Sequence, residues 1–289
     1  MAHLYRYFIA YLRLTKPIIT LSVSFSAFTG FILFAGSFAS GWFQAYMGVM
    51  LIAAGSSALN QVQEADFDKL MDRTRQRPIP SGEVSKRQAL AWAILLSVAG
   101  AGLLWITTTP MATLLAILTL LWYNGVYTPL KRITPWAILP GALVGAIPPA
   151  IGWTAAGGAI SHPHIIIVAF FFFIGQIPHF WLILLRHGGD YEKAGFPSIT
   201  KKFSHNQISR LTFTWTLATA ITAIFLPFFG IIESAVFYTV IIILSLALTL
   251  SFIRWPGIQK TRQVNRAFML MNLYFLLMMI IIILDSLLT

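Results

Sequence analysis

The sequence predicts an all-α polytopic membrane protein in which nine transmembrane helices form a single domain over residues 1–289. Hydrophobic residues make up 57% of the chain and charged residues only 10%, whereas a soluble domain averages about 25% charged residues. The mean hydropathy is +0.77, and nine apolar stretches reach or approach the roughly 20 residues that span a bilayer. Cysteine is absent, which excludes disulfides, thiolate catalysis and cysteine-ligated metals.

Each span is justified by its apolar length, and three of them also by the motifs that end them. Span one begins near Thr15-Lys16-Pro17 and has no small-residue cleavage site, so we expect a retained helix rather than a signal peptide. Spans two, four and six run into polar motifs at their C-terminal ends. The predicted spans are 17–37, 42–62, 88–108, 110–128, 137–156, 164–185, 211–230, 234–253 and 267–287.

The basic residues predict how the spans are oriented. All twenty lysines and arginines fall on one side: before span one, or between spans two and three, four and five, six and seven, and eight and nine. The positive-inside rule therefore predicts a cytoplasmic N-terminus and an external C-terminus. The net charge of +11 then reflects membrane topology rather than nucleic-acid binding. No Arg/Ser-rich transit extension precedes span one, which favours a bacterial plasma (inner) membrane over an organelle.

The end of span two carries the most informative motif. On a helix, Asn60, Glu64 and Asp68 fall within about 80° of one another, on one face. Stacked carboxylates repel unless they share a cation, and oxygen ligands suit Mg²⁺, the usual companion of a diphosphate. Arginines that follow, Arg73 and Arg77, would bind the rest of a phosphate's charge. The alternative interpretation is a solvated charged loop after a membrane helix.

A second motif closes span four. Asn124 and Tyr127 lie three residues apart, on one face of a helix. For Tyr123 we expect an ordinary interfacial anchor. Lys131 and Arg132 either bind an anion or only enforce topology. In span five, the small residues before Pro148-Pro149 indicate a helix contact that ends in a break.

A third motif closes span six. Gln176, His179 and Arg186 share a helical stripe, and Asp190 and Lys193 lie in the loop that we expect after it. Polar side chains within a span are costly, so Gln176 and His179 should face a cavity or a partner. The alternatives are a packing histidine at 179 and an exposed loop residue at 190. Glu233 and Asp285, on the opposite side, are expected to be interfacial, and we assign them no chemistry.

Three spans thus end in polar clusters on the same side of the membrane. Together they predict one pocket with carboxylates for a metal, bases for phosphate and an apolar interior. Such a pocket suits a substrate with a charged diphosphate head and a long apolar tail.

These motifs resemble those of the UbiA superfamily of intramembrane aromatic prenyltransferases. Within it, longer stretches are similar to the protohaem IX farnesyltransferase (haem O synthase) family, in order over roughly residues 13–200. The stretches that carry the resemblance are 71–78 (M-x-R-T-x-x-R-P), 123–132 (Y-N-x-x-Y-T-P-L-K-R), 145–153 (G-A-x-P-P-x-x-G-W), 176–181 (Q-I-P-H-F-W) and 190–197 (D-Y-x-x-A-G-x-P). The last third of the chain matches only as three more helices.

The resemblance implies a nine-helix UbiA-type bundle whose active site opens on the cytoplasm. Its substrates would be farnesyl diphosphate and haem B, its cofactor Mg²⁺, and haem-handling enzymes its possible partners within the lipid bilayer. The allylic cation would react with a haem vinyl group, and Asn124 or Tyr127 would stabilise the cation or position the acceptor. His179 would contact the haem iron. The implied metal and diphosphate site consists of Asn60, Glu64, Asp68 and Asp190. The implied substrate-binding residues are Arg73, Arg77, Lys131, Arg132, Gln176, His179, Arg186 and Lys193.

Three departures from the family pattern bear on the acceptor. Glu64 stands where many bacterial relatives have Asp, Ala137 fills a place that is usually Asn, and Thr200 fills a place that is usually Pro. The first alternative is therefore a UbiA-type enzyme that prenylates another acceptor, such as a quinone precursor. A second alternative is a membrane transporter, in which the polar residues within the spans would mark a substrate path.

Overall fold

The computed structural model describes residues 2–197, 202–253 and 261–289. Thr200 lies outside the described residues, as do Lys201, Arg254 and Lys260, which are among the twenty basic residues that predict the orientation.

The described chain is helical, and nine of its helical segments are long and apolar enough to cross a membrane. This confirms the predicted architecture and the approximate position of every span. A short helix, α1, precedes the first span and packs on the second through Ala10 and Leu14. The helices are α1 Ala2–Leu14, α2 Pro17–Ala35, α3 Trp42–Asp68, α4 Lys86–Thr107, α5 Pro110–Leu121, α6 Thr128–Leu130, α7 Ile138–Ala155, α8 Pro163–Lys193, α9 His205–Phe225, α10 Ala235–Ile253 and α11 Thr261–Leu288.

The fourth span is interrupted where its motif begins. A π-helical turn, Trp122–Tyr127, joins α5 to the three-residue α6. Pro129 has no N–H, and its ring clashes with the carbonyl four residues earlier in an α-helix, so wider winding is favoured here. Single π turns inside helices frequently occur at functional sites.

Close backbone packing holds α2 against α7. A Cβ atom at Gly30 would lie 1.9 Å from the Pro149 carbonyl oxygen, and one at Gly152 would lie 1.6 Å from that of Ala27. Before the two prolines, a Cβ at Gly145 would lie 2.6 Å from Gln176 Cδ of α8, so the small residues of span five also make a helix contact, as predicted. The predicted break at Pro148-Pro149 is wrong, because α7 continues through both prolines to Ala155. Neighbouring helices and local adjustments allow proline within membrane helices.

Two helices extend past their apolar spans and carry the polar motifs with them. Helix α3 runs to Asp68, and α8 runs to Lys193. The prediction that Asp190 and Lys193 lie in a loop is therefore wrong. Hydropathy marks the membrane boundary, but the helix ends only where Gly195 adopts a φ of +77°, a conformation that favours glycine.

Asp285 lies near the end of α11 and is buried within the protein, with 1% of its surface exposed. Its carboxylate accepts hydrogen bonds of 2.9 Å from the N–H groups of Glu233 and Ser234, directly before α10. These N–H groups have no partner within a helix. Asp285 therefore caps α10 from another helix, and this polar contact is structural.

Candidate active site

A cavity of about 210 Å³ lies where α3, the π turn and α8 leave the apolar part of the bundle. This confirms the prediction that spans two, four and six share one pocket. Of the predicted site residues, seven line it: Asn60, Glu64, Asp68, Arg73, Arg77, Tyr127 and Lys131.

The acidic row of α3 is buried and paired with basic side chains. Lys131 contacts the Glu64 carboxylate, and Arg77 Nη1 donates to both oxygens of Asp68 at 2.9 and 2.8 Å. Asp68 has no exposed surface and Glu64 only 4%. Charges this deep are stable only when they are paired, which explains why each acid has its own base.

Lys16 completes this end of the cavity, and the sequence interpretation missed it. Its Nζ donates to Asn60 Oδ1 at 2.7 Å. Burial, reinforced by the nearby Arg77 charge, lowers the pKa of Lys16 to about 7. Among the described residues it alone is a non-glycine with positive φ, at 49°, and such strain often accompanies function. The sequence feature that could have indicated Lys16 as a site residue is its position directly before Pro17, on the same side of the membrane as the polar motifs.

Aromatic side chains form another part of the cavity lining. The rings of Tyr123 and Tyr127 stack with centroids 5.5 Å apart, and Phe180 lies 5.8 Å from Tyr127. The Lys131 ammonium lies 5.5 Å from the Tyr127 ring. The prediction of Tyr123 as an interfacial anchor is wrong, because its side chain lines the cavity. Electron-rich ring faces beside a polar rim can stabilise a cation.

Asn124 and Arg132 point away from the cavity. Asn124 Nδ2 donates to Ser56 Oγ at 2.6 Å, and Arg132 Nη2 donates to the Gln63 carbonyl at 2.7 Å. The prediction that Asn124 and Tyr127 share a face assumed α-helical winding. It is wrong because the π turn changes the angle between them.

The polar stripe of α8 also lies outside the cavity lining. Gln176 packs over Gly145, where a Cβ would lie 2.6 Å from the Gln176 Cδ. The rings of His179 and Phe268 are 4.8 Å apart, and Arg186 lies 5.6 Å from the same Phe268 ring. His179 Nδ1 is buried without a hydrogen-bond partner. These three residues therefore contact α7 and α11 in this structure.

The C-terminal end of α8 meets the segment after α3 at the mouth of the cavity. Asp190 accepts a hydrogen bond from the Arg73 backbone N–H at 3.3 Å. Lys193 Nζ donates to Asp72 at 2.5 Å, which lowers the pKa of the Asp72 carboxyl. Met71 and Phe196 pack together beneath these contacts. Asp190 and Lys193 thus tie two segments together beside the cavity, although neither lines it.

The donor set in the cavity fits a hard cation. Asn60, Glu64 and Asp68 offer oxygen atoms only. No cluster of three or more His, Asp or Glu residues that could hold a metal by itself occurs in the described part of the chain. Mg²⁺ usually binds through one or two carboxylates together with substrate phosphates, rather than in an all-protein cage. Glu64 and Asp68 meet that requirement.

Comparison with known proteins identifies the family. The model of the UbiA prenyltransferase family matches residues 23–276. The chain belongs to this family. A UbiA homologue from Archaeoglobus fulgidus, solved with DMAPP and Mg²⁺, is 18% identical with a TM-score of 0.70, over 94% of this chain and 98% of the other. A digeranylgeranylglyceryl phosphate synthase is 13% identical with a TM-score of 0.78, over 99% of both chains. At these identities the structures show a shared UbiA fold.

Curated relatives within the UbiA family share more of the sequence. A protohaem IX farnesyltransferase of Geobacter sulfurreducens is 47% identical over 65% of this chain and 69% of its own. Protohaem IX farnesyltransferase 1 of Pseudomonas fluorescens is 35% identical over 86% of this chain and 82% of its own. A mitochondrial protohaem IX farnesyltransferase of Arabidopsis thaliana is 40% identical over 66% of this chain and 44% of its own.

Proposed function

We propose that this UbiA enzyme transfers the farnesyl group of farnesyl diphosphate to a vinyl group of haem B, giving haem O and pyrophosphate. The observation that carries the proposal is the cavity itself, which joins a row of paired acids and bases to an aromatic, apolar wall. The protohaem IX farnesyltransferase relatives support haem B as the acceptor.

The charged end of the cavity would receive the diphosphate. Bound Mg²⁺, held by Glu64 and Asp68 with Asn60 beside them, would supply charge stabilisation for the leaving group. The structures of the Archaeoglobus fulgidus homologue with DMAPP or GPP and Mg²⁺ support this cofactor. Lys131 and Arg77, released from the two carboxylates, would then bind phosphate oxygens. We expect Asp190 to assist in metal binding, because the Arg73 N–H occupies only its Oδ2 atom.

The aromatic wall would receive the farnesyl chain. The C1–O bond breaks and the diphosphate keeps its electron pair, so positive charge develops on the allyl group beside Tyr123 and Tyr127. The vinyl group forms a bond to C1, water adds to the carbon next to the porphyrin ring, and one proton is lost. Phe180 and the tyrosines would keep other water away from the cation.

Orientation and setting complete the proposal. The cavity lies at the end of the bundle that carries the basic residues, and we assign that end to the cytoplasm of a bacterial inner membrane. Enzymes that supply haem B or consume haem O are the expected partners.

The test is incubation of purified protein with haem B, farnesyl diphosphate and Mg²⁺, followed by mass spectrometry of the pigments. We expect haem whose mass has increased by one farnesyl group and one hydroxyl group. Glu64→Gln, which keeps the side-chain volume, should lose the product and serves as the matched control. Release of pyrophosphate without a haem product would exclude haem B and favour another acceptor, and Ala137 would be the first position to reconsider.

A further inference from the structure

A row of contacts, which we call the polar zipper, connects α3 to the segment 124–132. It includes Ser56 and Gln63, which do not line the cavity. Ser56, Asn60, Gln63 and Phe67 follow one stripe of α3 at spacings of four, three and four residues. They contact Asn124, Thr128 and Arg132, which recur every four residues on the other segment. The contacts are Ser56 with Asn124 at 2.6 Å, Asn60 with Thr128 at 3.2 Å, Gln63 with the Asn124 carbonyl at 3.0 Å, and Arg132 with the Gln63 carbonyl at 2.7 Å and with the Phe67 ring at 4.7 Å.

The Gln63 side chain donates to the Asn124 carbonyl, which the π turn leaves without a backbone N–H partner. The Asn124 carbonyl would normally accept from the N–H of Thr128, but that N–H bonds to the Tyr123 carbonyl five residues back. The residue five positions after Asn124 is Pro129, which has no N–H. The Gln63 side chain supplies the missing donor. An unpaired backbone carbonyl in this setting would cost much of a hydrogen bond, so Gln63 stabilises the π turn.

The zipper also sets the register of two functional rows. Asn60, Glu64 and Asp68 face the cavity from α3, and Tyr123, Tyr127 and Lys131 face it from the other segment. The contact between Glu64 and Lys131 shows that the rows meet side by side. A slip of the π turn would therefore move both tyrosines relative to the diphosphate end.

We infer that Ser56 and Gln63 are positioning residues, which hold Asn124 and thereby place Tyr123 and Tyr127 against the developing allylic cation. This inference rests on the proposed function. Neither residue lines the cavity, so neither needs to touch substrate.

The primary test is Gln63→Leu, which keeps the approximate side-chain volume and removes the donor. We expect kcat for prenyl transfer to fall roughly 10- to 100-fold, as expected for a displacement near 1 Å, while KM for farnesyl diphosphate changes less than about twofold. Farnesol, formed when water captures the cation, should increase relative to prenylated haem. Ser56→Ala should act in the same direction more weakly, because Asn124 Nδ2 also donates to the Leu120 carbonyl at 3.1 Å.

Two controls separate positioning from general damage. Ser57→Ala removes a hydroxyl from the neighbouring buried residue of α3, and should leave kcat and the farnesol ratio unchanged. The double variant Ser56→Ala/Gln63→Leu should lose less than the product of the two single effects, since both residues act through Asn124. Unchanged kcat in both single variants, a raised KM with normal kcat, or an equal loss in Ser57→Ala would overturn the inference.

A second measurement does not depend on haem chemistry. The chain contains no cysteine, so Glu64→Cys/Lys131→Cys carries the only thiols, and a short bifunctional thiol reagent should join them. Adding Gln63→Leu should slow the formation of this cross-link, whereas adding Ser57→Ala should not. Equal cross-linking rates with and without Gln63→Leu would overturn the inference that the polar zipper positions the two segments. If wild-type protein forms no prenylated haem, the proposed function is overturned. The cross-linking rates would still test whether Gln63 holds the two segments in register, because that measurement does not require prenyl transfer.

Discussion

Asp68 offers the sharpest test of the site, because its neighbour Asp66 provides a matched control two residues away. Asp68 has no exposed surface and receives both of its short contacts from Arg77. Asp66 has 71% of its side chain exposed and pairs with Lys86 at the surface. The same substitution to Asn at both positions removes one charge each, and only the Asp68 change affects the cavity.

The expected magnitudes differ widely. Removing one member of a buried ion pair costs about 3–5 kcal/mol, whereas a surface pair is worth about 0–1 kcal/mol. Asp68→Asn keeps an oxygen acceptor for Arg77, so we expect its free energy of unfolding to fall by about 2 kcal/mol. Activity should fall at least 100-fold, since the Asp68 carboxylate is lost from the end of the cavity where negative charge develops on the diphosphate leaving group. Asp66→Asn should stay within about twofold of wild type.

A double variant separates stability from chemistry. Asp68→Ala/Arg77→Met removes both charges, and its thermal unfolding midpoint in detergent should recover relative to Asp68→Ala. Pyrophosphate release and prenylated haem should stay at background in the same sample. Activity of Asp68→Asn above about a third of wild type, or equal losses in the Asp66 and Asp68 variants, would refute the assignment of the acidic row.

Three further predictions concern other parts of the molecule. The pKa of Lys16 is lowered to about 7 in the folded protein and is about 10.4 in an unfolded chain. Between these two pH values the unfolded state binds more protons than the folded state. The free energy of unfolding should therefore rise with pH over this range. Lys16→Met should flatten that slope in unfolding experiments from pH 7 to 9; an unchanged slope would assign it to another group. His179 lies against Phe268, outside the cavity lining, so His179→Ala should leave the Soret band of bound haem unchanged while thermal stability decreases; a shifted Soret band would instead restore His179 as an iron contact. Reporter fusions at Gly82 and Lys131 should read cytoplasmic and one at Gly158 external, and a cytoplasmic signal at Gly158 would contradict the nine-span topology.

Much of the fold could be predicted because membrane helices are specified locally. Every backbone N–H and C=O must be satisfied within a span, so apolar length alone locates the nine membrane-spanning helices in the described part of the chain. The helical repeat likewise placed Asn60, Glu64 and Asp68 on one face, since α3 continues to Asp68. The outcome for Asp190 and Lys193 was different, because hydropathy reports where the membrane ends and not where the helix ends.

The composition of the site depended on contacts that no sequence window contains. Lys16 reaches the cavity across 44 residues to bind Asn60. Tyr123 lines the cavity, although its place at the end of an apolar span is typical of an interfacial anchor. Arg132 and Asn124 carry the residue types of a phosphate or cation site, yet they bind α3 instead. Periodicity determined which residues share a face within one helix. Only the packing of one helix against another decided which faces enclose the cavity, because that packing depends on the winding of the π turn and on backbone contacts at glycines such as Gly30 and Gly152.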